Sequence, residues 1–269
     1  GAAPIVLRGE GLRVQYGPVS ALAGVDIELR AGEVTAVMGR NGSGKSSLLW
    51  ALQGSGARSG GTVRICHAGS GAAAHEQWTG IDPKSLRADD AIRRIALVPQ
   101  NPADLLYLDS VFAECREADL VAGVAPGTTS ALLDRLAPGL AGARHPRDLS
   151  EGGRLALVLA IQLVGRPDVV LLDEPTRGLD YAAKRRLAEV LGELTAAGAA
   201  VLLSSHDVEF VARAAGRVVV LADGEVVTDG PVLDVLTASP SFAPQIARIL
   251  WPVPILTVDA VRVAMAVRS

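Results

Sequence analysis

Lys45 closes a run spaced by glycines, Gly39-Arg40-Asn41-Gly42-Ser43-Gly44-Lys45-Ser46. The run fits G-x-x-x-x-G-K-S/T, the P-loop pattern. Gly39, Gly42 and Gly44 let the backbone take positive φ and lie close to phosphate oxygens. Consecutive amide N–H groups then face an anion at the positive end of the next helix. Lys45 is expected to reach the β- and γ-phosphates, and the Ser46 hydroxyl to ligate Mg²⁺. Asn41, Ser43 and Ser47 belong to the same nucleotide-binding turn. The pattern predicts ATP with Mg²⁺ as the ligand.

A second cluster ends the apolar run Val169-Val170-Leu171-Leu172, which passes into Asp173-Glu174-Pro175. A parallel strand presents its C-terminal end to the ligand crevice. Asp173 is placed to bind Mg²⁺, directly or through water, and Glu174 to orient or deprotonate an attacking water. Either motif alone could be a plain turn. Together they describe phosphoryl transfer.

The elements that must hold these groups read as α/β. Residues 34–38 are a short apolar run suited to a buried parallel strand, and residues 47–52 suit a helix. Residues 5–16, 21–29 and 60–65 read as strands around the P-loop and form antiparallel pieces. Residues 67–90 lack periodicity and read as a surface excursion. Strands are expected at 94–98, 168–173 and 199–204, and a hairpin of 217–222 with 225–228 across Asp223-Gly224. Helices are expected at 111–120, 129–136, 154–164, 181–197, 207–214 and 231–237. Gly198 is the expected stop of the 181–197 helix. Residues 239–255 read as an irregular proline-bearing tail, followed by a short helix near 258–267. The predicted fold class is α/β, a P-loop NTPase core with an antiparallel β subdomain and an inserted α-helical subdomain. The core domain is expected over 1–238, its helical insert over about 103–165, and a C-terminal extension over 239–269.

Composition narrows the function classes. With 269 residues, of which 49% are hydrophobic, the chain can bury a large core. Only 3% are aromatic, so that core is Ala, Val and Leu. A net charge of −3 gives no support to a nucleic-acid partner. Cys66 and Cys115 are too few for a disulfide framework and fit a reducing compartment. No apolar run approaches the roughly 20 residues of a membrane span. The N-terminal residues do not read as a signal peptide. The start at Gly1-Ala2-Ala3-Pro4 reads as a cloning remnant or a cut from a longer polypeptide.

The P-loop, the Asp-Glu strand end and Leu149-Ser150-Glu151-Gly152-Gly153 together resemble the nucleotide-binding domains of ABC transporters, over about residues 5–236. The resemblance implies further roles. Gln100, in VPQNP, matches the glutamine that reaches Mg²⁺ and the attacking water and touches the membrane partner. His206, in LLSSHD, matches the switch histidine at the γ-phosphate, Asp180, in RGLD, the D-loop aspartate, and Tyr16 the aromatic stacked on adenine. Ser150 and Gly152 match the signature, which in the family completes the P-loop of a second ABC ATPase domain in a head-to-tail dimer. That dimer could be a homodimer or a fused or paired heterodimer. The implied catalytic set is Glu174, His206, Lys45 and Gln100, with Ser46, Gln100 and Asp173 as metal ligands.

The usual signature is Leu-Ser-Gly-Gly-Gln. Glu151 replaces its first glycine here, and Gly153 its glutamine. A like-charge pair at ~4 Å costs about 4 kcal/mol in an effective dielectric of ~20, so the Glu151 carboxylate is expected to point out of the nucleotide crevice. Residues 241–248 and 256–258 look like the C-terminal extension of energy-coupling-factor transporter ATPases, which drive uptake of vitamins or of cobalt and nickel. PTRGLDY and DLSEG look like the second half of fused tandem versions. The implied partners are transmembrane transporter subunits, and the implied place is the cytoplasmic face of the cell membrane. Two rivals stay open. One is a soluble ABC-type ATPase acting on DNA or the ribosome, although the long coiled coil of DNA-repair members is absent between P-loop and signature. The other is a nucleotide-sensing module with little hydrolysis.

Overall fold

Two sheets meet across one helix. The computed structural model describes residues 3–66, 80–140, 142–238, 244–249 and 255–257. Strands β1 (Ile5–Tyr16), β2 (Val19–Arg30) and, later in the chain, β4 (Gly60–Ile65) form an antiparallel sheet in the order β2-β1-β4. Strand β3 (Val34–Met38) leads into α1 (Lys45–Gln53). With β5 (Ile95–Val98), β6 (Val169–Asp173), β7 (Ala200–Ser204), β8 (Arg217–Ala222) and β9 (Glu225–Pro231) it forms a second sheet, ordered β5-β6-β7-β3-β8-β9. The pairs β5–β6, β6–β7, β7–β3 and β3–β8 are parallel, and β9 closes the edge antiparallel.

The five residues of each of β3, β6 and β7 are all buried, which is why these strands read as unbroken apolar runs. Their alternate side chains enter different cores. Val37, Leu171 and Leu202 join Leu48, Leu49 and Leu52 of α1 under the antiparallel sheet. Ala36, Met38, Leu172 and Leu203 face the opposite layer, built from α5 (Glu151–Leu163), α6 (Tyr181–Ala196), α7 (Val208–Ala214) and α8 (Val232–Ala238). The result is a parallel sheet covered on both faces. The β8–β9 turn places Asp223 at φ +50° and Gly224 at φ +79°, as a tight two-residue hairpin demands.

Helices α3 (Val111–Ala122) and α4 (Thr128–Leu136), with α5, make the helical insert. The first residue preceding α4 is Gly127, which has no side chain to cap the helix. Asp119 of α3 does that work from across the turn. Its carboxylate accepts from Gly127 N at 2.6 Å, Thr129 N at 2.8 Å and Thr129 Oγ1 at 2.6 Å.

Several boundaries differ from the sequence reading. α5 starts at Glu151 rather than 154, because Ser150 caps it and brings both glycines into its first turn. A helix, α2 (Ala88–Arg94), covers the end of the expected 67–90 excursion and takes Arg94 from the strand expected at 94–98. It has no apolar stripe, and it runs without a break into β5. A short helix, α9 (Gln245–Ile249), lies inside the expected irregular tail. Gln245 N donates to Glu209 Oε1 of α7 at 2.8 Å, and Ala247 and Leu256 are buried in the core under α7. Tertiary docking thus orders a stretch whose periodicity is silent. The expected helix near 258–267, and residues 67–79 of the excursion, lie outside the described residues.

Burial pushes the Asp119 carboxyl up, but the hydrogen bonds from Thr129, Gly127 and Thr128 outweigh it and hold it below the usual aspartate value. A depressed folded pKa means stability that is present above the unfolded value of about 3.9 and is lost as pH falls through the folded one. Asp119→Ala is expected to lower stability by about 2 kcal/mol at neutral pH, read from denaturant unfolding. The gap to the parent should close on acidification below about pH 4.

Candidate functional site

Three neighbouring strands deliver the chemistry to one edge. In the order β6-β7-β3, the strand β7 lies between the acid-bearing strand and the P-loop strand. Its end ties both together. Ser205 N donates to Val37 O at 3.1 Å. Ser204 Oγ donates to Asp173 Oδ1 at 2.5 Å, and accepts from Glu174 N at 3.0 Å. Glu174 N also donates to Ser204 O at 3.1 Å. Ser204 carried no motif signal of its own; its part follows from strand order.

The P-loop takes the shape its glycines allow. A Cβ on Gly39, at φ +149°, would lie 2.2 Å from Leu221 O, and one on Gly44, at φ +102°, 2.3 Å from Ala21 O. Either substitution drives carbon into a backbone oxygen, so the turn needs glycine at both places. Lys45 is only 7% exposed; its ammonium donates to Gly39 O at 2.9 Å and Arg40 O at 3.1 Å. Two acceptors leave one of its three N–H groups for a ligand.

Helix α1 begins without a side-chain cap and without an acid in its first turn. By contrast, α3, α5, α6 and α7 are capped by Ser110, Ser150, Asp180 and Asp207. The free amides of α1 are therefore open to an anion. Ser43 Oγ is buried and has no hydrogen-bond partner among the described residues. The donor set fits a triphosphate.

A cavity of about 470 Å³ opens over this turn, lined by Tyr16, Gly42, Lys45, Ser46, Gln100, Asp173 and Glu174, among others. Asn41, Gly44 and Ser47 line it as well. Tyr16 is half exposed at the end of β1, where its ring can meet a flat ligand group. The oxygens of Ser46, Gln100 and Asp173 suit a hard cation such as Mg²⁺, which takes few protein oxygens besides phosphate and water.

Glu174 sits at φ +52°, an uncommon conformation for a residue with a side chain, held by its two bonds to Ser204. His206 Nδ1 lies 2.7 Å from Glu174 Oε2. An ionised carboxylate only accepts, so the ring donates from Nδ1. The structure thus gathers Tyr16, the P-loop, Gln100, Asp173, Glu174 and His206 into one site.

Ser150, Gly152 and Asp180 stand apart from it. They line a different cavity of about 330 Å³ between α5 and α6, which shares no residue with the first. The Glu151 carboxylate leans on the 174–180 loop, with Oε1 3.5 Å from Arg177 Nε.

These features define a P-loop ATP-binding domain, with Mg²⁺-ATP as its ligand. The sequence matches the family described as ABC transporter over residues 22–177. It is 54% identical over 257 residues to a putative ABC transporter ATP-binding protein of Streptomyces avermitilis, covering 96% of this chain and 44% of that protein. It is 33% identical over 243 residues to the cobalt import ATP-binding protein CbiO of Rhodobacter capsulatus, covering 88% and 83%. The solved structure of cbiO1 from Clostridium perfringens, part of the ABC transporter complex cbiONQ, superposes with TM-score 0.71 at 25% identity, covering 92% and 96%. The chain belongs to the ABC transporter family, whose ATP-binding domains are ATPases coupled to transport. It spans less than half the length of the Streptomyces relative.

Ser204→Ala removes the hydroxyl that holds Asp173 and Glu174 in register. The expected outcome is that severalfold more Mg²⁺ is needed for half-maximal ATP binding, with ATP affinity at saturating Mg²⁺ little changed; a titration of Mg²⁺ against fluorescent ATP measures it.

Proposed function

We propose that this chain is an ATP-hydrolysing domain that powers transport through separate membrane subunits, of the energy-coupling-factor kind that takes up a metal ion or a vitamin. One observation carries the reading: Lys45, Ser46, Gln100, Asp173 and Glu174 line a single cavity at the strand ends. The likeness to a cobalt import ATP-binding protein supports uptake of a metal ion. No helix among the described residues is long and apolar enough to cross a membrane, so transport needs another polypeptide or segment.

In this reading Tyr16 stacks on the adenine, and the amides of Gly42 and Gly44 with Lys45 hold the phosphates. Ser46, Asp173 and Gln100 hold Mg²⁺ or its waters. Bound there, Mg²⁺ would supply positive charge beside the phosphates. Glu174 orients the attacking water and takes its proton, while His206 fixes the carboxylate and reaches the γ-phosphate. The amide cradle and the Lys45 ammonium stabilise charge as the bond to the leaving oxygen breaks.

The surface beside Gln100 supports a docked partner at the cytoplasmic membrane face. Tyr107 is 79% exposed and Phe112 60%, on the loop and helix that follow. Glu114, buried, accepts from Tyr107 N at 2.6 Å and Leu108 N at 2.8 Å, which fixes that loop in place. Ser150, Gly152 and Asp180 complete the site of a second ATPase domain in a head-to-tail dimer, and that domain returns the same groups to this P-loop. The 44% span of the Streptomyces relative favours a fused pair. Residues 1–238 form the ATPase domain and 239–269 its C-terminal extension, of which Gln245 is bonded to Glu209 of α7.

Glu174→Gln keeps the shape but cannot accept the proton. ATP binding should persist while phosphate release falls about 100-fold or more, measured on the assembled ATPase. Turnover within severalfold of the parent would refute the catalytic assignment. Lys45→Ala should weaken ATP binding about tenfold to a hundredfold, read by equilibrium titration.

A further inference from the structure

Glu151 is the first residue of α5, at the end where the helix is positive. A carboxylate there favours the helix but opposes an anion that would dock on the same amides. The side chain has a fixed place. Its Oε1 lies 3.5 Å from Arg177 Nε. Its chain lies across Gly178: a Cβ built on that glycine, at φ +71°, would stand 2.9 Å from Glu151 Oε2 and 3.1 Å from its Cγ. One residue on, a Cβ on Gly152 would meet Leu179 Cδ2 at 3.2 Å. The start of α5 therefore rests directly on the loop that leaves Glu174. That loop is itself braced, since Arg177 N donates to Glu174 O at 3.2 Å and Asp180 caps α6.

We infer that Arg177 is a positioning residue that draws the Glu151 carboxylate onto the loop after Glu174, and so keeps the Ser150 end of α5 able to receive the triphosphate held by a second ATPase domain. The inference rests on the head-to-tail reading above. Arg177 offsets a charge that the glycine of the usual signature never brings. It also joins the two half-sites of one chain, because a shift of the 174–180 loop carries the signature end with it. Both side chains are about half exposed, at 58% and 50%, so the pairing is modest in strength and sensitive to salt.

The test measures the apparent KM for Mg²⁺-ATP and steady-state phosphate release of the assembled ATPase with its partner domain. Arg177→Gln is expected to raise the KM at the site facing this signature about threefold to fivefold, and the rise should shrink in high salt. Arg177→Lys should stay within about twofold of the parent. The double variant Glu151→Gly/Arg177→Gln should return close to the parent, because no carboxylate remains to be offset. A merely structural Arg177 predicts no such recovery. Ser150→Asp separates the two readings, since aspartate still caps α5 but turns a negative charge on the ligand. Should Ser150→Asp leave the KM unchanged, no nucleotide faces the signature, and both readings fall. Should Ser150→Asp raise it while Arg177→Gln does not, or while the double variant stays impaired, the inference about Arg177 alone is overturned.

Discussion

The end of β7 is the part on which the site depends. Ser205 N reaches back to Val37 of the P-loop strand, and Ser204 holds Asp173 and the Glu174 amide on the other side. Parallel strands put all three C-terminal ends at one edge, but pairing alone leaves the side chains free. The Ser204 hydroxyl donates to one acid and accepts from the backbone of the next, so one atom sets the position of both. His206 follows two residues later and takes the Glu174 carboxylate. Asp173, Glu174 and His206 are thereby held at the same edge as the P-loop strand.

The cradle and the acids were legible because their chemistry is local. Glycines at 39, 42 and 44 followed by Lys45 impose a backbone shape over eight residues, and an apolar run that ends in Asp173-Glu174 announces a buried strand with an exposed end. The parallel core was legible for the same reason: strands buried on both faces carry no polar interruptions. What lay hidden depends on contacts distant in sequence. Ser204 acts through residues about thirty positions away. Asp119 caps a helix that cannot cap itself. Helix α9 exists because α7 and the core receive it, and α2 has too few residues to show a period.

The helical insert shows how a polar group can replace missing sequence information elsewhere. Gly127 and Gly44 both precede helices without offering a cap. At α4 the vacancy is filled by Asp119, and the helix serves packing. At α1 nothing in the described chain fills it, and the same orphan amides become a place for an anion. Between these two helices the difference is that the fold brings a carboxylate to one and not to the other. The glycine spacing before α1 announces the anion site, but only the fold shows that Asp119 fills the equivalent place at α4.

The two cavities bear on the proposed pairing with a second domain. Lys45 and Glu174 line one, Ser150 and Asp180 the other, and they share no residue. If the Ser150 end contributes to phosphate binding at all, it does so for a nucleotide that this chain does not hold. Yet the two half-sites are not independent, because the loop from Glu174 to Asp180 runs from the first to the second and carries Glu151 against Arg177 and Gly178 on the way. The Glu151 carboxylate has Arg177 beside it, in a pairing that half-exposed side chains keep modest. In the proposed reading the loop from Glu174 to Asp180 is the link between the two cavities, because the start of α5 packs on Gly178 and Leu179 within it.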